Sequence, residues 1–467
     1  MLDAIEITIS TLDDKGRGNA ETPRGPVAVP FSIPGDTVRV ELRGKRKGVW
    51  RAHVLERMGV STDRVAPRCP YVGTCGGCPW QMIDYPAQLR YKRTAVERAL
   101  ATTGSSDHAA ASQFEPAYAI AIPAVEPSPD LFYYRNRMDY AIGARGEIGL
   151  KAADQWWNVL DLSTCFLLSP ESVVIMERVR AWMREHQVQP WDNRTHRGFA
   201  RYLVIREGKR TNERMVFLIT SPGELPGRED FVARLQEHAT SIIWGINPAI
   251  TDISVARGLH VLHGNAELHE ELRIVMPNDE TRMTNQIRNP NDANVDHSSF
   301  DIRTSTFQFS IPPNAFFQTN TVMAERLVET VRELAGLSGT ELVVDLYCGV
   351  GVFGIALARD AGRVIGVESE PSAIPVAQQN AIANGITNAQ FVLATAESWS
   401  FPMDPIDVLI VDPPRSGLHP RVIQKVLALQ PERIIYVSCN PVALARDLKL
   451  LTQKRGQTLS RKGSDPV

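Results

Sequence analysis

Residues 436 to 448, YVSCNPVALARDL, place a cysteine where it could act as a nucleophile. Cys439 follows an apolar run that reads as a strand and precedes one that reads as a helix. Asn440 and Pro441 fix the turn after it, and a helix beginning near Val442 points its positive end back at the sulfur. That end favours the thiolate, the reactive form of the residue. A thiolate so held can form a covalent intermediate and split a hard step in two. The competing role is a buried core thiol, which many strand-end cysteines are.

Two further segments read as a cofactor pocket. VVDLYCGVGVFGIALA, residues 343–358, is an apolar strand carrying Asp345, then a glycine-rich turn into a helix. Gly349 and Gly351 let the backbone pass close to a ligand. The next strand ends at Glu368, where a carboxylate can accept from both ribose hydroxyls of an adenosine. A dinucleotide site would show a similar acidic residue, so NAD is the alternative on these residues. VDPPRSGL, residues 411–418, argues against it. Asp412 stands at a strand end facing the same crevice, and two prolines stiffen the loop beneath a flat substrate. A dehydrogenase has no use for that loop. Methyltransferases that act on planar nitrogen follow a related turn with an aromatic residue. Arg415 stands here instead, which suits a different acceptor atom.

Of the six cysteines, Cys69, Cys75 and Cys78 have C-x5-C-x2-C spacing, with Cys165 far downstream. Four thiolates suit a [4Fe–4S] cluster or zinc, and the spacing leaves both open. Cys165 taken alone could be a buried thiol. Cys348, inside the cofactor turn, reads as packing.

These residues need elements to hold them. A chain of 467 residues is too long for one core, so two or three domains are expected. Residues 1–58 alternate apolar and polar positions in short runs: Ile5, Ile7, Ile9; Val27, Val29, Phe31; Val38, Val40, Leu42. Gly and Pro separate them, as in a small β-barrel. Residues 59–305 read as a mixed α+β domain holding the cysteine cluster, with a helix near Gln88 to Ala101. Strands are expected around Met138–Ile142, Tyr202–Arg206 and Met215–Thr220. Thr102–Ser112 reads as a loop and 277–300 as an exposed polar insertion. From 306 to 467 strands alternate with helices, which predicts a doubly wound, Rossmann-like parallel sheet.

The net charge of −2 does not announce a nucleic-acid partner, but its distribution is uneven. Arg43, Lys45, Arg46, Lys47 and Arg51 form one basic cluster. Arg194, Arg197, Arg201, Arg206, Lys209, Arg210 and Arg214 form another. Both suit solvated faces as well as a polyanion. No apolar run is long enough to span a bilayer, and the N-terminus reads as a strand, not a signal peptide. The expected location is the cytoplasm.

DLYCGVGVFG, VDPPRSGL and SCNP, in this order, resemble the S-adenosylmethionine-dependent RNA uracil-5 methyltransferase family, as does PNAFFQTN at 313–320. The resemblance implies that Gln318, Tyr347, Glu368 and Asp412 contact S-adenosylmethionine and that Cys439 attacks C6 of a uracil. YRNRMDYA (134–141) and RYLVIREG (201–208) are similar to the family's central strands, and residues 1–58 resemble its RNA-binding TRAM (OB-like) barrel. The ribosomal members carry a [4Fe–4S] cluster on cysteines arranged like Cys69, Cys75, Cys78 and Cys165. The expected substrate is therefore a uridine of 23S rRNA, with tRNA as the alternative. Two departures bear on this. Val352 stands where many relatives have a small polar residue, and one cofactor hydrogen bond, about 1 kcal/mol, would be lost. The family's His-Val-Glu segment, whose Glu removes the C5 proton, has no counterpart after Arg446. Asp447 lies in the helix after Cys439 and does not replace that Glu by motif. A truncated C-terminus, a different base, or an RNA-binding protein with a stalled site would each account for the difference.

Overall fold

The structure, a computed structural model, describes residues 4–101, 122–276 and 303–460. The loop expected at Thr102–Ser112 and the insertion expected at 277–300 lie outside the described residues. So do the last seven residues.

Strands β1 (Ala4–Thr8), β2 (Thr11–Leu12), β3 (Gly18–Ala20), β4 (Val27–Val29), β5 (Thr37–Arg46) and β6 (Val49–Gly59) form one sheet in the order β1-β5-β6-β4-β3-β2. Its two ends, β1 and β2, are consecutive pieces of chain. The segment from Ala4 to Leu12 thus pairs with β5 by its first half and with β3 by its second. Ile7, Ile9, Val38, Val40 and Leu42 point into one buried cluster, as their alternation requires. Phe31 leaves the pattern. β4 ends at Val29, and Phe31 sits in a turn with φ 55°, packed beside Ile33, Met82 and Ile83.

Asp36 locks the end of this sheet to the segment that leads into the central region. Its carboxylate is fully buried and accepts from the amides of Ile33 (2.9 Å) and Ser61 (3.1 Å) and from Arg64 Nη2 (2.6 Å). Burial alone would raise its pKa, but these hydrogen bonds outweigh it and hold the group below its ordinary 3.8.

The central region holds α1 (Tyr85–Ala101), β7 (Arg137–Ile142), β8 (Ile148–Gly149), β9 (Lys151–Ala152), β10 (Gln155–Val159), α2 (Glu171–Glu185), β11 (Ala200–Glu207), β12 (Arg214–Thr220), α3 (Arg228–Leu235), β13 (Ser241–Ile246) and β14 (Gly258–Gly264). A six-stranded sheet runs β14-β13-β12-β11-β7-β8. Leu203, Ile205, Val216 and Leu218 face α2 and α3, while Tyr202, Val204, Met215 and Phe217 bury on the opposite face. Every residue of β11 is therefore buried, which explains its unbroken apolar run.

The second basic cluster is not a solvated face. Arg201 and Arg206 are buried and spend their guanidinium groups on main-chain carbonyls, Arg201 on Asn247 (3.0 Å) and Arg206 on Pro312 (2.8 Å). Lys209 and Arg214 pair with Glu207, and Arg210 with Glu325. Only Arg194 and Arg197 of that group are exposed. Arginine suits this use because its planar fork meets several acceptors at once.

The remaining elements are β15 (Leu268–Met276), β16 (Arg303–Ile311), α4 (Thr321–Ala335), β17 (Leu342–Leu346), α5 (Val352–Ala358), β18 (Arg363–Glu368), α6 (Ala373–Ala383), β19 (Ala389–Leu393), β20 (Val408–Val411), α7 (Pro420–Leu429), β21 (Arg433–Tyr436) and α8 (Pro441–Ser460). The five strands β17 to β21 are all parallel, in the order β19-β18-β17-β20-β21. Chain order reverses between β17 and β20, and a crevice at that switch point is where such sheets bind ligands. β15 and β16 pair antiparallel, and their Leu272, Ile274, Phe307 and Phe309 share a core with Val343 and Ile355. β16 thus runs across position 305/306. Among the described residues no helix is long and apolar enough to cross a membrane.

Candidate active site and cysteine site

Three acids line the crevice, one of them fully buried and two half-buried. Asp345, in β17, is wholly enclosed; its Oδ2 accepts from the Gly354 amide at 3.0 Å and its Oδ1 has no partner among the described residues. Burial pushes its carboxyl up to about 8, and the charges of Asp412 and Glu368 add to that. The turn after β17 is strained: Tyr347 takes φ 67°, a left-handed conformation that a bulky side chain rarely adopts. Its amide is held by the Val367 carbonyl at 2.9 Å. Gly351 has φ 90°, and a Cβ there would meet the Phe391 ring at 3.0 Å, so only glycine fits.

Glu368 sits at the end of β18 and takes the Gly349 amide on Oε2 at 3.0 Å. Asp412 follows β20, and its Oδ2 accepts from Gln318 Nε2 at 3.4 Å. Burial pushes the Asp412 carboxyl up to about 6. The fold therefore brings Gln318 against Asp412, and Glu368 against the turn that carries Tyr347. Val352 opens α5 and leans on the core, and Cys348 is buried in it, consistent with a packing role.

Cys439 is exposed on the turn between β21 and α8. Asn440 makes that turn rigid. Its Oδ1 accepts from the amides of Val442 (3.1 Å) and Ala443 (3.4 Å), capping α8, and Pro441 takes the first helical position. Its Nδ2 donates to the Arg415 carbonyl at 2.9 Å. Asp447, fully buried further along α8, accepts from the Leu418 amide (2.7 Å), from Tyr436 Oη (2.7 Å) and from Arg446 (2.6 Å). The loop 412–418 and the Cys439 turn are thereby one braced unit. In sequence Asp447 reads only as a poor candidate base, because its bracing role carries no motif. The Asn-Pro pair before an apolar run is a visible capping signal.

The aromatic residues near the crevice separate. Phe316 is 66% exposed, beside Gln318, whereas Phe317 is buried against Phe309. Tyr133 packs on Phe166 under the Arg68 guanidinium.

Cys69, Cys75, Cys78 and Cys165 line one cavity together with Tyr71, Leu150 and Leu162. Burial pushes the Cys78 thiol up to about 12, and negative charge on the other three would push the same way. Cys75 Sγ accepts from the Gly77 amide at 3.4 Å. A donor set of four thiols in one largely apolar pocket fits a thiolate-bound metal group. Glu185, His186 and Asp230 also converge, but Arg234 already pairs with both acids there.

A doubly wound parallel sheet with acids near its switch point and an exposed cysteine one strand away is an arrangement that suits a methyltransferase. Comparisons with known proteins agree. Residues 282–461 match the tRNA (Uracil-5-)-methyltransferase family model. The tRNA (uracil(54)-C(5))-methyltransferase of Pyrococcus horikoshii is 34% identical over 446 residues, 96% of this chain and 93% of that protein. An uncharacterized RNA methyltransferase of Nanoarchaeum equitans is 32% identical over 451 residues, covering 96% and 87%. The crystal structure of the Pyrococcus abyssi tRNA (uracil-54, C5)-methyltransferase, in complex with S-adenosyl-L-homocysteine, superposes with a TM-score of 0.70 at 32% identity, covering 96% of this chain and 93% of that one. The chain belongs to the S-adenosylmethionine-dependent RNA uracil-5 methyltransferase family.

Proposed function

We propose that this protein methylates C5 of a uridine in tRNA, with Cys439 as the nucleophile. The observation that carries the mechanism is the bracing of an exposed Cys439 against the Asp412 loop through Asn440 and Arg415. The Cys439 thiolate adds to C6, and the electron pair moves through C5 into the C4 carbonyl as an enolate. S-adenosylmethionine, held by Gln318, Tyr347, Glu368 and Asp412, supplies an electrophilic methyl group. C5 would take that methyl as its bond to the sulfonium sulfur breaks and S-adenosylhomocysteine leaves; a base then takes the C5 proton, and the freed electron pair re-forms the C5–C6 double bond as the C6–sulfur bond breaks to return the thiolate.

The substrate reading moves from 23S rRNA to tRNA. The relatives of known substrate, near 34% identity over almost the whole chain, are named for uracil 54 of tRNA. The stalled RNA-binding alternative has no support from them, since they are named as methyltransferases. The β-rich N-terminal region serves as an RNA grip of the TRAM kind: Arg43, Lys45, Arg46 and Lys47 are exposed along the tip of the β5–β6 hairpin, and Arg51 is exposed on β6. The cysteine site holds a [4Fe–4S] cluster. Cys69, Cys75, Cys78 and Cys165 share one cavity, and their arrangement resembles that of the family's cluster-bearing members, which favours iron–sulfur over zinc.

The test uses S-adenosylmethionine with a labelled methyl group and unmodified tRNA and 23S rRNA transcripts. Label at C5 of a tRNA uridine, abolished in Cys439→Ala, is the expected result. Label on rRNA alone overturns the substrate, and undiminished transfer by Cys439→Ala overturns the mechanism.

A further inference from the structure

Gln318 reaches the cofactor crevice from the segment before α4, and that segment is held from outside its own domain. Asn136, 6% exposed at the start of the central sheet, donates through Nδ2 to the Gln318 carbonyl (2.8 Å) and to Thr321 Oγ1 (3.1 Å). Its own amide donates to the Thr319 carbonyl at 2.8 Å, and its neighbour Arg135 forms a bridge with Asn320. Thr321 in turn donates its hydroxyl to Glu270 Oε2 at 2.8 Å. Arg206 and Arg137 take the carbonyls of Pro312 and Pro313, at 2.8 and 3.2 Å. The segment from Pro312 to Thr321 is thus fastened along its length by side chains of the central sheet.

The fastening strip is anchored on its other edge too. The Tyr133 amide donates to the Phe166 carbonyl (2.7 Å) and the Arg135 amide to Leu167 (3.0 Å), immediately after Cys165. Residues 133–136 therefore cannot shift toward or away from Gln318 without breaking bonds on both sides.

We propose that Asn136 is a positioning residue for cofactor binding: it fixes the backbone of Gln318, so the central domain completes the S-adenosylmethionine pocket. This rests on the reading of Gln318 as a cofactor contact. A buried side-chain amide that satisfies two groups of one segment, beside a main-chain bond to a third, sets that segment's place more firmly than packing does, because each broken bond would leave a buried polar group unpaired. Gln318 in turn reaches Asp412, so its main-chain position decides whether the two side chains share one ligand.

The experiment is a double-mutant cycle on S-adenosylhomocysteine affinity, measured by titration calorimetry with the full chain. Gln318→Ala must weaken binding; if it does not, the cofactor reading of Gln318 fails, separately from this proposal. Asn136→Ala is expected to weaken binding about tenfold, one hydrogen bond's worth. It should raise KM for S-adenosylmethionine while leaving kcat at saturation within about twofold. The double variant should bind no more weakly than Gln318→Ala alone. Losses that multiply in the double variant overturn the proposal, because a merely structural Asn136 acts independently of Gln318. If Asn136→Ala unfolds below the assay temperature, Thr321→Val replaces it in the same cycle, with the same non-additive result expected and the same additive result fatal.

Discussion

Asn440 donates its side-chain amide to the main-chain carbonyl of Arg415 at 2.9 Å, joining the turn that carries Cys439 to the loop that carries Asp412. One side chain caps a helix with its oxygen and ties down a neighbouring loop with its nitrogen. Cys439 and Asp412 thus share a frame, although they follow different strands.

Replacing Asn440 with Ala should separate stability from catalysis. Loss of the cap costs about 1 kcal/mol, since α8 keeps Pro441 at its first position. Loss of the Arg415 bond leaves Cys439 free to wander relative to the cofactor crevice. A misplacement of about 1 Å can cost on the order of a hundredfold in rate. Asn440→Ala should therefore fold with a slightly lowered melting temperature while kcat falls between about tenfold and a hundredfold. Circular dichroism and single-turnover methyl transfer measure the two. An unchanged kcat would show that the brace does not position Cys439.

Much of this frame is legible in the sequence, and the illegible part has a common cause. The doubly wound sheet follows from strand and helix alternation; Glu368 and Asp412 fall where their apolar runs stop, and Asp345 lies one residue before the end of β17. The cysteine spacing foretells a shared cavity. Arg206 reads as part of a basic surface and is a buried fastener. Asn136 reads only as part of a strand motif. Both act by reaching segments more than a hundred residues away, and local patterns of charge or periodicity carry no record of such partners. Asp447 escapes the sequence for a different reason. Its partners are near in sequence, but a buried acid at a helix surface looks like any solvated one until the loop beside it is placed.

Cofactor binding should weaken in acid through Asp412. Burial lifts its carboxyl from the ordinary 3.8 to about 6, so without ligand it is neutral below that pH. If the cofactor's donors meet the carboxylate, each pH unit below about 6 costs about tenfold in affinity. The same shift acts oppositely on folding. A raised folded pKa gives stability that is fully present below 3.8 and is lost as pH rises through about 6. Asp412→Asn should flatten both dependences and bind S-adenosylhomocysteine weakly at every pH. Calorimetry between about pH 5 and pH 8 decides, and a slope that survives in Asp412→Asn would assign it to another group.

Asp36 should give the opposite acid signature. Its folded pKa lies below 3.8, held there by Arg64 and two amides against the pull of burial. The unfolded chain therefore takes up a proton first as acid is added. The stability it contributes is full above about pH 4 and disappears as pH falls through the lower, folded value. Urea midpoints should fall more steeply below about pH 4 for the wild type than for Asp36→Asn. That variant should already be destabilised by about 2 kcal/mol at neutral pH, having lost the charge that Arg64 and Arg57 face. Parallel midpoint curves would remove the assignment.

The cysteine site offers a prediction that does not depend on turnover. Protein purified without oxygen should be brown, with iron and sulfide in the proportion of one [4Fe–4S] cluster per chain. Cys165 comes from a segment far from the other three, lines the same cavity, and directly precedes the carbonyls that hold the strip fastening Gln318. Cys165→Ser should therefore lose the colour and lower the melting temperature. Cys348→Ser, which alters a thiol buried in the methyltransferase core, should keep the colour even if it destabilises the fold. A colourless wild-type protein with one zinc per chain would replace the cluster with zinc.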